Sequence, residues 1–567
     1  MARSGMVKPL RKSVVFVTFE SEFAPLGGLS AVMRMLPKRM ARIGKGECMT
    51  IAPFFREITK CKPDWFEAIH PTGYTFDLAF GEEFHAVEVF RHCDRNGFQT
   101  ILLDSPQFFN APCDCGDPPH PLTPCNPYLN PGHPGQLLQD ALFFCAAVPR
   151  ALVALGITKN LVLNLQDWET ACLALTIKEE PTIVSAACVL TVHNPYDKPL
   201  PDKELQKISR QHLPGPTVLS KMIPLLDGPI CTVSQNFARE LVKEPLHTVV
   251  YVPHLQSSFR HKGVRGINNG LFAKLNFPKK ARDDASQGDF GRLLREKSKR
   301  REGMITVLRE YNPPQAWGRL DFSHFEGPVF LMFGRDDPRQ KGYDLAAAAI
   351  ARIPEGKAKF IFTPIPGEEG LEGLRFLRTL AERKAGAVKI FPFRMERGYM
   401  ELQKGASFMV MCSLYEPFGS ATEGYAVGTP ILARATGGLV QQVVPYPSSC
   451  LNRTVRTLFD QFHDGALGPT GILFREAELP PAQGAAGWRT IVHCRYWPDG
   501  DRLADRIGTP LFEAMVQEAT KAFMDAIELY VHNPADYARM IYNGFGMLDR
   551  FSWDQTVREY QALYTSL

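Results

Sequence analysis

The chain has 567 residues, of which 45% are hydrophobic and 22% charged, and its formal net charge is +5. That length exceeds a single hydrophobic core, so two large domains are expected, in an ordinary soluble globular protein rather than a disordered or fibrous one. The small positive charge suits anionic small ligands such as nucleotides, and no long basic run with interleaved aromatics marks a nucleic-acid surface.

Residues 1–12 are basic and are followed at once by an apolar run at 14–19, too short for a signal h-region or a membrane span. No later stretch reaches spanning length without charge, so the expectation is a cytoplasmic protein with no membrane partner. Thirteen cysteines are scattered without the rhythm of a disulfide scaffold, which fits reduced and mostly buried thiols.

The run at 14–19 reads as a first parallel strand. Gly27-Gly28-Leu29 then opens a helix with Leu29, Val32, Met33, Leu36 and Met40 on one stripe. Strand, glycine pair and helix let a ligand meet a helix N-terminus at the carboxyl edge of a sheet. Residues 68–104 alternate and predict strands in a hairpin at the edge of the first domain. Residues 105–135 form a long Pro-, Cys- and Gly-rich loop. In it Cys113, Cys115, His120 and Cys125 have the right ligand types for zinc, but C-x-C-x4-H-x4-C is not a common zinc spacing and no second half is apparent. They read as incidental to a surface loop. Residues 137–155 predict a largely buried helix.

Two strand-to-loop junctions follow. Leu161-Val162-Leu163 runs toward Gln166-Asp167-Trp168-Glu169, and Val189-Leu190-Thr191-Val192 runs into His193-Asn194. Each sets polar residues beyond a strand's C-terminal end, where open α/β sheets bind ligands. Ser234 is placed to cap a helix over 235–243, and an Asn-Gly turn follows at Asn269-Gly270. The charged stretch 279–325 predicts surface helices, with the basic run 297–301 as a solvated face.

The strand–helix rhythm restarts at Pro328. Strands are expected at 329–333, 360–362, 388–391, 408–411 and 431–433, with helices between them, so the second domain is another doubly wound sheet. The run at 408–411 stops before Glu416-Pro417-Phe418-Gly419-Ser420, which leads into a short helix carrying Glu423. Gly419 permits close approach to backbone N–H groups, an anion site beside two acids. Residues 475–510 read as an irregular insertion, and helices are expected at 511–531, 534–550 and 553–564.

These landmarks, in this order, resemble the glycogen and starch synthases, retaining glucosyltransferases with the GT-B fold of two Rossmann-like domains facing a cleft. The resemblance runs along nearly the whole chain through Gly27-Gly28-Leu29, Asn126-Pro127-Tyr128-Leu129, Asp167-Trp168, Thr191-Val192-His193-Asn194, Thr232-Val233-Ser234 and Gly266-Ile267-Asn268-Asn269-Gly270. It continues through Gly334-Arg335 to Lys341-Gly342, Glu416-Pro417-Phe418-Gly419 and Thr436-Gly437-Gly438-Leu439. It implies an acceptor-side domain over 1–320, a nucleotide-sugar-binding domain over 321–545 and a last helix, 546–567, crossing back to the first.

The resemblance also implies roles. Arg335 and Lys341 would neutralise the leaving diphosphate, Glu416 would hold sugar hydroxyls, and His193 and Asp167 would line the acceptor side. Gly27, Gly28, Asn269, Gly419, Ser420, Glu423, Thr436, Gly437 and Gly438 would bind the nucleotide sugar, Glu423 as a ribose candidate. The implied reaction moves glucose from ADP- or UDP-glucose to the non-reducing end of an α-1,4-glucan, with no metal or other cofactor and no nucleic acid. The oligomeric state stays open. Alternatives are another nucleotide sugar or acceptor, or a non-catalytic glucan-binding homologue. Departures from the family pattern are Pro25 in place of a lysine, Gln166 and Glu169 in place of histidines, Phe272 in place of an aspartate, and six rather than seven residues between Glu416 and Glu423.

Overall fold

The computed structural model describes residues 12–44, 46–113, 125–128, 135–367, 369–395, 397–446, 451–493 and 502–567. The chain divides into two compact units. One comprises residues 1–270 with 552–567, and the other residues 271–551.

The first unit is built on β1 (Ser13–Val17), β2 (Cys48–Pro53), β3 (His70–Phe80), β4 (Glu83–Cys93), β5 (Gln99–Asp104), β6 (Leu161–Gln166), β7 (Ala186–Val192), β8 (Ile230–Thr232) and β9 (Val264–Gly266). Their order is β3-β4-β5-β2-β1-β6-β7-β8-β9. From β5 to β9 every pairing is parallel, and β3–β4–β5 form an antiparallel edge. The central strands are apolar on both faces because helices cover both, so they read as continuous runs rather than alternations. The expected hairpin is this edge, and its alternation reflects one face turned to water.

Helix Gly28–Gly44 buries the expected stripe of Leu29, Val32, Met33, Leu36 and Met40. Helix Gln136–Ala154 is long and apolar enough, by length and composition, to cross a membrane, although it carries Asp140 and Arg150. Its residues 140–149 are all buried within the unit, and Thr176 Oγ1 donates to its Cys145 carbonyl at 2.6 Å. Ser234 caps helix Gln235–Lys243 as anticipated, accepting from the Phe237 N–H. The last helix, Trp553–Thr565, belongs to this unit: Asn164 Nδ2 donates to Tyr564 Oη at 2.6 Å, and Thr556 Oγ1 to the Asn268 carbonyl at 2.6 Å.

The second unit holds β10 (Trp317–Leu320), β11 (Val329–Arg335), β12 (Lys359–Ile365), β13 (Ala387–Ile390), β14 (Phe408–Met411), β15 (Ile431–Arg434) and β16 (Gly471–Phe474), in the order β10-β13-β12-β11-β14-β15-β16. All pairs are parallel except β10–β13. Phe330, Phe360 and Phe408 stack across three neighbouring strands at 5.5 Å, and the edge of Phe523 closes on Phe330 at 5.1 Å. Such offset aromatic packing adds about 0.5–1.5 kcal/mol per pair beyond area burial.

Four expectations change here. The boundary falls after Gly270 rather than after residue 320, because helix Gly291–Glu310 docks on the second unit. Lys297 Nζ donates to the Lys404 carbonyl at 2.8 Å and to Thr429 Oγ1 at 2.7 Å, and Arg300 Nη1 donates to the Val427 carbonyl at 3.0 Å. The basic run is therefore partly an inward face: Lys297 is buried, and burial pulls its ammonium well below the usual lysine range. The stretch read as irregular carries helices Pro481–His493 and Arg502–Arg506. The charged stretch before Pro328 also ends in β10, which the sequence did not disclose.

Candidate active site

In the first unit β6 and β7 are parallel neighbours with Gln166 opposite Thr191, so the segments after them emerge side by side. Asp167 leaves β6 with φ 58°, a backbone region that non-glycine residues occupy at a cost of about 1–3 kcal/mol and that clusters at functional sites. The turn aims the carboxylate at the β7 end. Its Oδ1 accepts from the His193 N–H at 2.5 Å and its Oδ2 from Asn194 Nδ2 at 3.4 Å.

His193 is fixed through its side chain as well. Gln166 Nε2 donates to Asn164 Oδ1 at 2.8 Å, which turns Gln166 Oε1 toward His193 Nε2 at 2.7 Å. That contact assigns the ring proton to Nε2 and leaves Nδ1 as an acceptor. Asn164, fully buried, also accepts from Thr191 Oγ1 at 2.9 Å. Gln166 thus performs the ring-orienting task for His193.

Burial sets the protonation states. It lowers His193 to about 3, so the imidazole is neutral near neutral pH. Burial raises Asp167 and pushes Glu169 still further above the carboxylate range; the backbone N–H groups of His193 and Asn194 partly offset this for Asp167, and the charge of Glu20 adds to it.

Glu20 was not anticipated from sequence. Its Oε1 accepts from the Gly27 N–H at 2.7 Å and the Ser30 N–H at 3.0 Å. The start of helix Gly28–Gly44, expected to receive a ligand anion, is occupied by the protein's own carboxylate. A Cβ on Gly28 would meet no atom within 4 Å, and one on Gly27 only the Glu20 carboxylate at 3.8 Å, so neither glycine is demanded by packing. Tyr128 Oη donates to Glu20 Oε2 at 3.4 Å, and its ring stacks on Phe19 at 5.9 Å, which brings the Asn126-Pro127-Tyr128 segment to the same turn. Leu129 lies outside the described residues. Asn269 is buried beyond β9, with its N–H on the Val233 carbonyl at 3.2 Å.

In the second unit β11 ends at Arg335, and the loop to helix Tyr343–Ala351 returns Lys341 toward β14. Lys341 Nζ donates to Glu416 Oε2 at 2.7 Å, and Ser413 Oγ donates to the same oxygen at 2.8 Å. Gly342, at φ 64°, is required: a Cβ there would lie 2.1 Å from the Cys412 carbonyl oxygen. This glycine presses the loop onto the end of β14 and sets Lys341 beside Glu416.

The Thr436-Gly437-Gly438 turn is equally constrained. A Cβ on Gly437 would lie 1.6 Å from the Glu416 carbonyl oxygen, and one on Gly438 would lie 2.1 Å from that of Phe418. The Gly438 N–H donates to the Glu416 carbonyl at 3.0 Å. These two motifs, about twenty residues apart, form one backbone-to-backbone contact. Gly419, at φ 92°, turns the chain into helix Ala421–Ala426. That helix is only six residues long, and the Ala421 N–H is given to Gln442 Oε1 at 3.1 Å. Its first N–H is therefore not open to an anion. Glu423, half-buried beside Ser420, is pushed up to about 7 by burial and by the charge of Glu416, against the pull of Ser420 and Lys341.

Two buried arginine systems that motif reading missed hold these loops. Arg434 on β15 donates through Nη1 to the Leu414 carbonyl at 2.7 Å and through Nε to Glu476 Oε2 at 2.8 Å. Burial raises Glu476, but the charges of Arg434 and Arg475 outweigh it and bring the carboxyl down to about 2. Arg502 grips both oxygens of Asp336, at 2.9 and 2.5 Å, and Arg506 Nη1 reaches Asp344 Oδ2 at 2.7 Å while Nη2 donates to the Pro338 carbonyl. Both arginines come from the stretch read as irregular, and both clamp the Arg335–Lys341 loop. A sequence signal existed only in the spacing Arg502-x-x-x-Arg506, which puts two cations on one helical face.

The chain is similar to known glycosyltransferases. A family profile described as starch synthase catalytic domain matches residues 13–251, and one described as family 4 glycosyltransferase in conflict systems matches residues 303–450. Glycogen synthase 2 of Geobacter metallireducens is 25% identical over 457 residues, covering 75% of this chain and 84% of that protein. The chain is a divergent, glycogen/starch synthase-like glycosyltransferase. Glycogen synthase of Aeromonas hydrophila is 25% identical over 536 residues, covering 87% of this chain and 96% of that protein. Among solved structures, the catalytic domain of starch synthase IV from Arabidopsis thaliana, bound to ADP and acarbose, superposes with a TM-score of 0.66 at 17% identity, covering 98% of this chain and 99% of that one. The two parallel-sheet units of this chain have the GT-B fold of such glycosyltransferases.

Proposed function

We propose that the protein transfers glucose from ADP- or UDP-glucose to the non-reducing end of an α-1,4-glucan with retention at the anomeric carbon. The observation that carries this reading is the Lys341–Glu416 pair at 2.7 Å, set on the backbone contact between Glu416 and Gly437-Gly438. A cation and a carboxylate held together suit a nucleotide sugar: the cation meets the diphosphate and the carboxylate meets sugar hydroxyls. Lys341 and Glu416 satisfy each other in this structure, so a bound donor would exchange an internal ion pair for ligand contacts. Arg335 and Lys341 would then stabilise the diphosphate as the bond to the sugar breaks, the electrostatic work that otherwise falls to a metal. Neutral His193, held by Gln166 and Asp167, would present a hydrogen-bonding wall to the sugar and acceptor without adding charge. Glu423 would take the ribose hydroxyls. A cytoplasmic setting goes with this reading.

The test is transfer of labelled glucose from each donor to glycogen. Expected is product from ADP- or UDP-glucose and a loss of about 10²–10³-fold in Lys341→Ala. No product from either donor, with Lys341→Ala indistinguishable from the parent, overturns the reading.

A second reading, another nucleotide sugar or acceptor, is favoured by Glu20. Its carboxylate holds the Gly27 and Ser30 N–H groups, so two donors of this helix start are already taken, and Pro25 supplies no cation. A thermal-shift series over nucleotide sugars separates the two; stabilisation by ADP-glucose alone rejects the second.

A further inference from the structure

Three carboxylates gather beyond the carboxyl ends of β1 and β6, which are parallel neighbours, and one of them is left out of the hydrogen bonding that holds the others. Glu20 Oε1 accepts from the Gly27 and Ser30 N–H groups, and Asp167 accepts from the His193 N–H and from Asn194 Nδ2. Glu169, on the short turn Trp168–Thr170, is only 7% exposed. Its carboxylate leans on its own N–H, and no other described residue donates a hydrogen bond to it.

The turn is anchored on both sides of this carboxyl. Thr170 Oγ1 donates to the Gln166 carbonyl at 3.0 Å, Cys145 Sγ donates to the Glu169 carbonyl at 3.4 Å, and Trp168 and Thr170 are buried. The backbone that carries Glu169 is therefore pinned. Burial disfavours its charge most, Asp167 and then Glu20 add to that, and exposed Lys198 pulls the other way. The carboxyl thus stands among these groups at the carboxyl edge of the sheet, beside the contact between Asp167 and His193.

A buried polar group left without a partner is costly, and native structures keep few of them. As an uncharged acid Glu169 can both donate and accept, which is what a sugar hydroxyl answers. The donor's diphosphate goes with the cations Arg335 and Lys341 of the second unit. An edge of carboxyls with a neutral imidazole suits an uncharged, hydroxyl-rich ligand and opposes an anionic one.

We propose that Glu169 is an acceptor-binding residue, whose carboxyl makes a hydrogen bond to a hydroxyl of the glucan end that receives the sugar. This rests on the proposed function and adds to it a contact that selects an uncharged acceptor.

The test compares two variants of the full-length protein. Glu169→Met removes the hydrogen-bonding group at similar volume, and Glu169→Gln keeps one. Maltoheptaose is titrated calorimetrically without donor, and the acceptor and donor KM are measured in the transfer assay. Glu169→Met is expected to bind maltoheptaose at least about 10-fold more weakly, with donor KM unchanged and Tm equal to the parent's or higher, because a buried unpaired group is gone. Glu169→Gln is expected to recover most of the affinity. Unchanged maltoheptaose binding by Glu169→Met overturns the proposal, as does a loss confined to donor KM. Equal losses in the two variants overturn it too, because the hydrogen bond is then not what matters. So does a Glu169→Met protein without a folded transition, which makes the carboxyl structural. In all of these cases a parent that transfers glucose leaves the proposed function standing; a parent that neither transfers nor binds maltoheptaose overturns both.

Discussion

Single atoms decide the sharpest constraints in this protein. A Cβ on Gly437 would fall 1.6 Å from a carbonyl oxygen in the Glu416 loop, at φ 48°. Gly437→Ala is therefore expected to cost at least about 3 kcal/mol, a large effect from strain and overpacking, whereas Gly28→Ala stays within about 0.5 kcal/mol because nothing lies near. Chemical denaturation of the two variants measures the difference. Protonation follows the same local logic. Glu423 is pushed up to about 7, so between the ordinary carboxylate range and 7 the native state holds a proton that the unfolded chain has lost. Its contribution to stability is thus present at the acid side and lost as pH rises through 7. As a ribose ligand it would act as the carboxylate, so donor affinity is expected to strengthen over the same interval. Glu423→Gln should flatten both profiles, measured by denaturation and by donor KM against pH. His193 behaves oppositely: burial lowers it to about 3, so its contribution falls as pH drops below the unfolded value near 6.5.

At the scale of an element, the small helix Arg502–Arg506 has an effect out of proportion to its length. Its two arginines are fully buried and neutralise Asp336 and Asp344 at the two ends of the loop carrying Lys341. Removing one partner of a buried pair leaves an uncompensated charge and costs about 3–5 kcal/mol. Arg502→Met is expected to show that loss and to weaken donor binding through the displaced loop, while Arg502→Met with Asp336→Leu recovers part of the stability. A double-mutant cycle in denaturant measures the coupling. The same stretch explains a misreading: proline and glycine density at 475–510 signals breaks, but the helices between them are held by tertiary ion pairs and by Trp488 under Arg434. Local propensity carries no trace of that. Lys297 is the converse case, a charge that sequence puts in water and that packing turns inward onto two acceptors.

Across the whole molecule, each unit is closed by chain from far away in sequence. The final helix returns to the first unit, where Tyr564 accepts from Asn164, which in turn orients Gln166 and so His193. Tyr564→Phe leaves Asn164 Nδ2 without its buried partner and is expected to cost about 1–3 kcal/mol. Hydrogen exchange should localise the loss to residues 12–270 and leave β11–β16 protected as before. That result would also mark the two units as separately stable bodies.

Both doubly wound sheets, the edge hairpin and most of the strand–helix alternation were determined by the sequence itself, which also put Asp167, His193, Arg335, Lys341 and Glu416 at or beyond strand ends. Buried parallel strands are short apolar runs, and glycines that permit a backbone crossing cannot be replaced without a mark in the chain. Three-dimensional contact decided the rest. Glu20 in the helix start, Gln166 behind His193, Arg502 under the Lys341 loop and Cys113 bridged to Cys125 are each paired with residues that propensity and spacing cannot connect. Periodicity reports which face of an element is buried, but only the folded chain reports which polar group it is buried against.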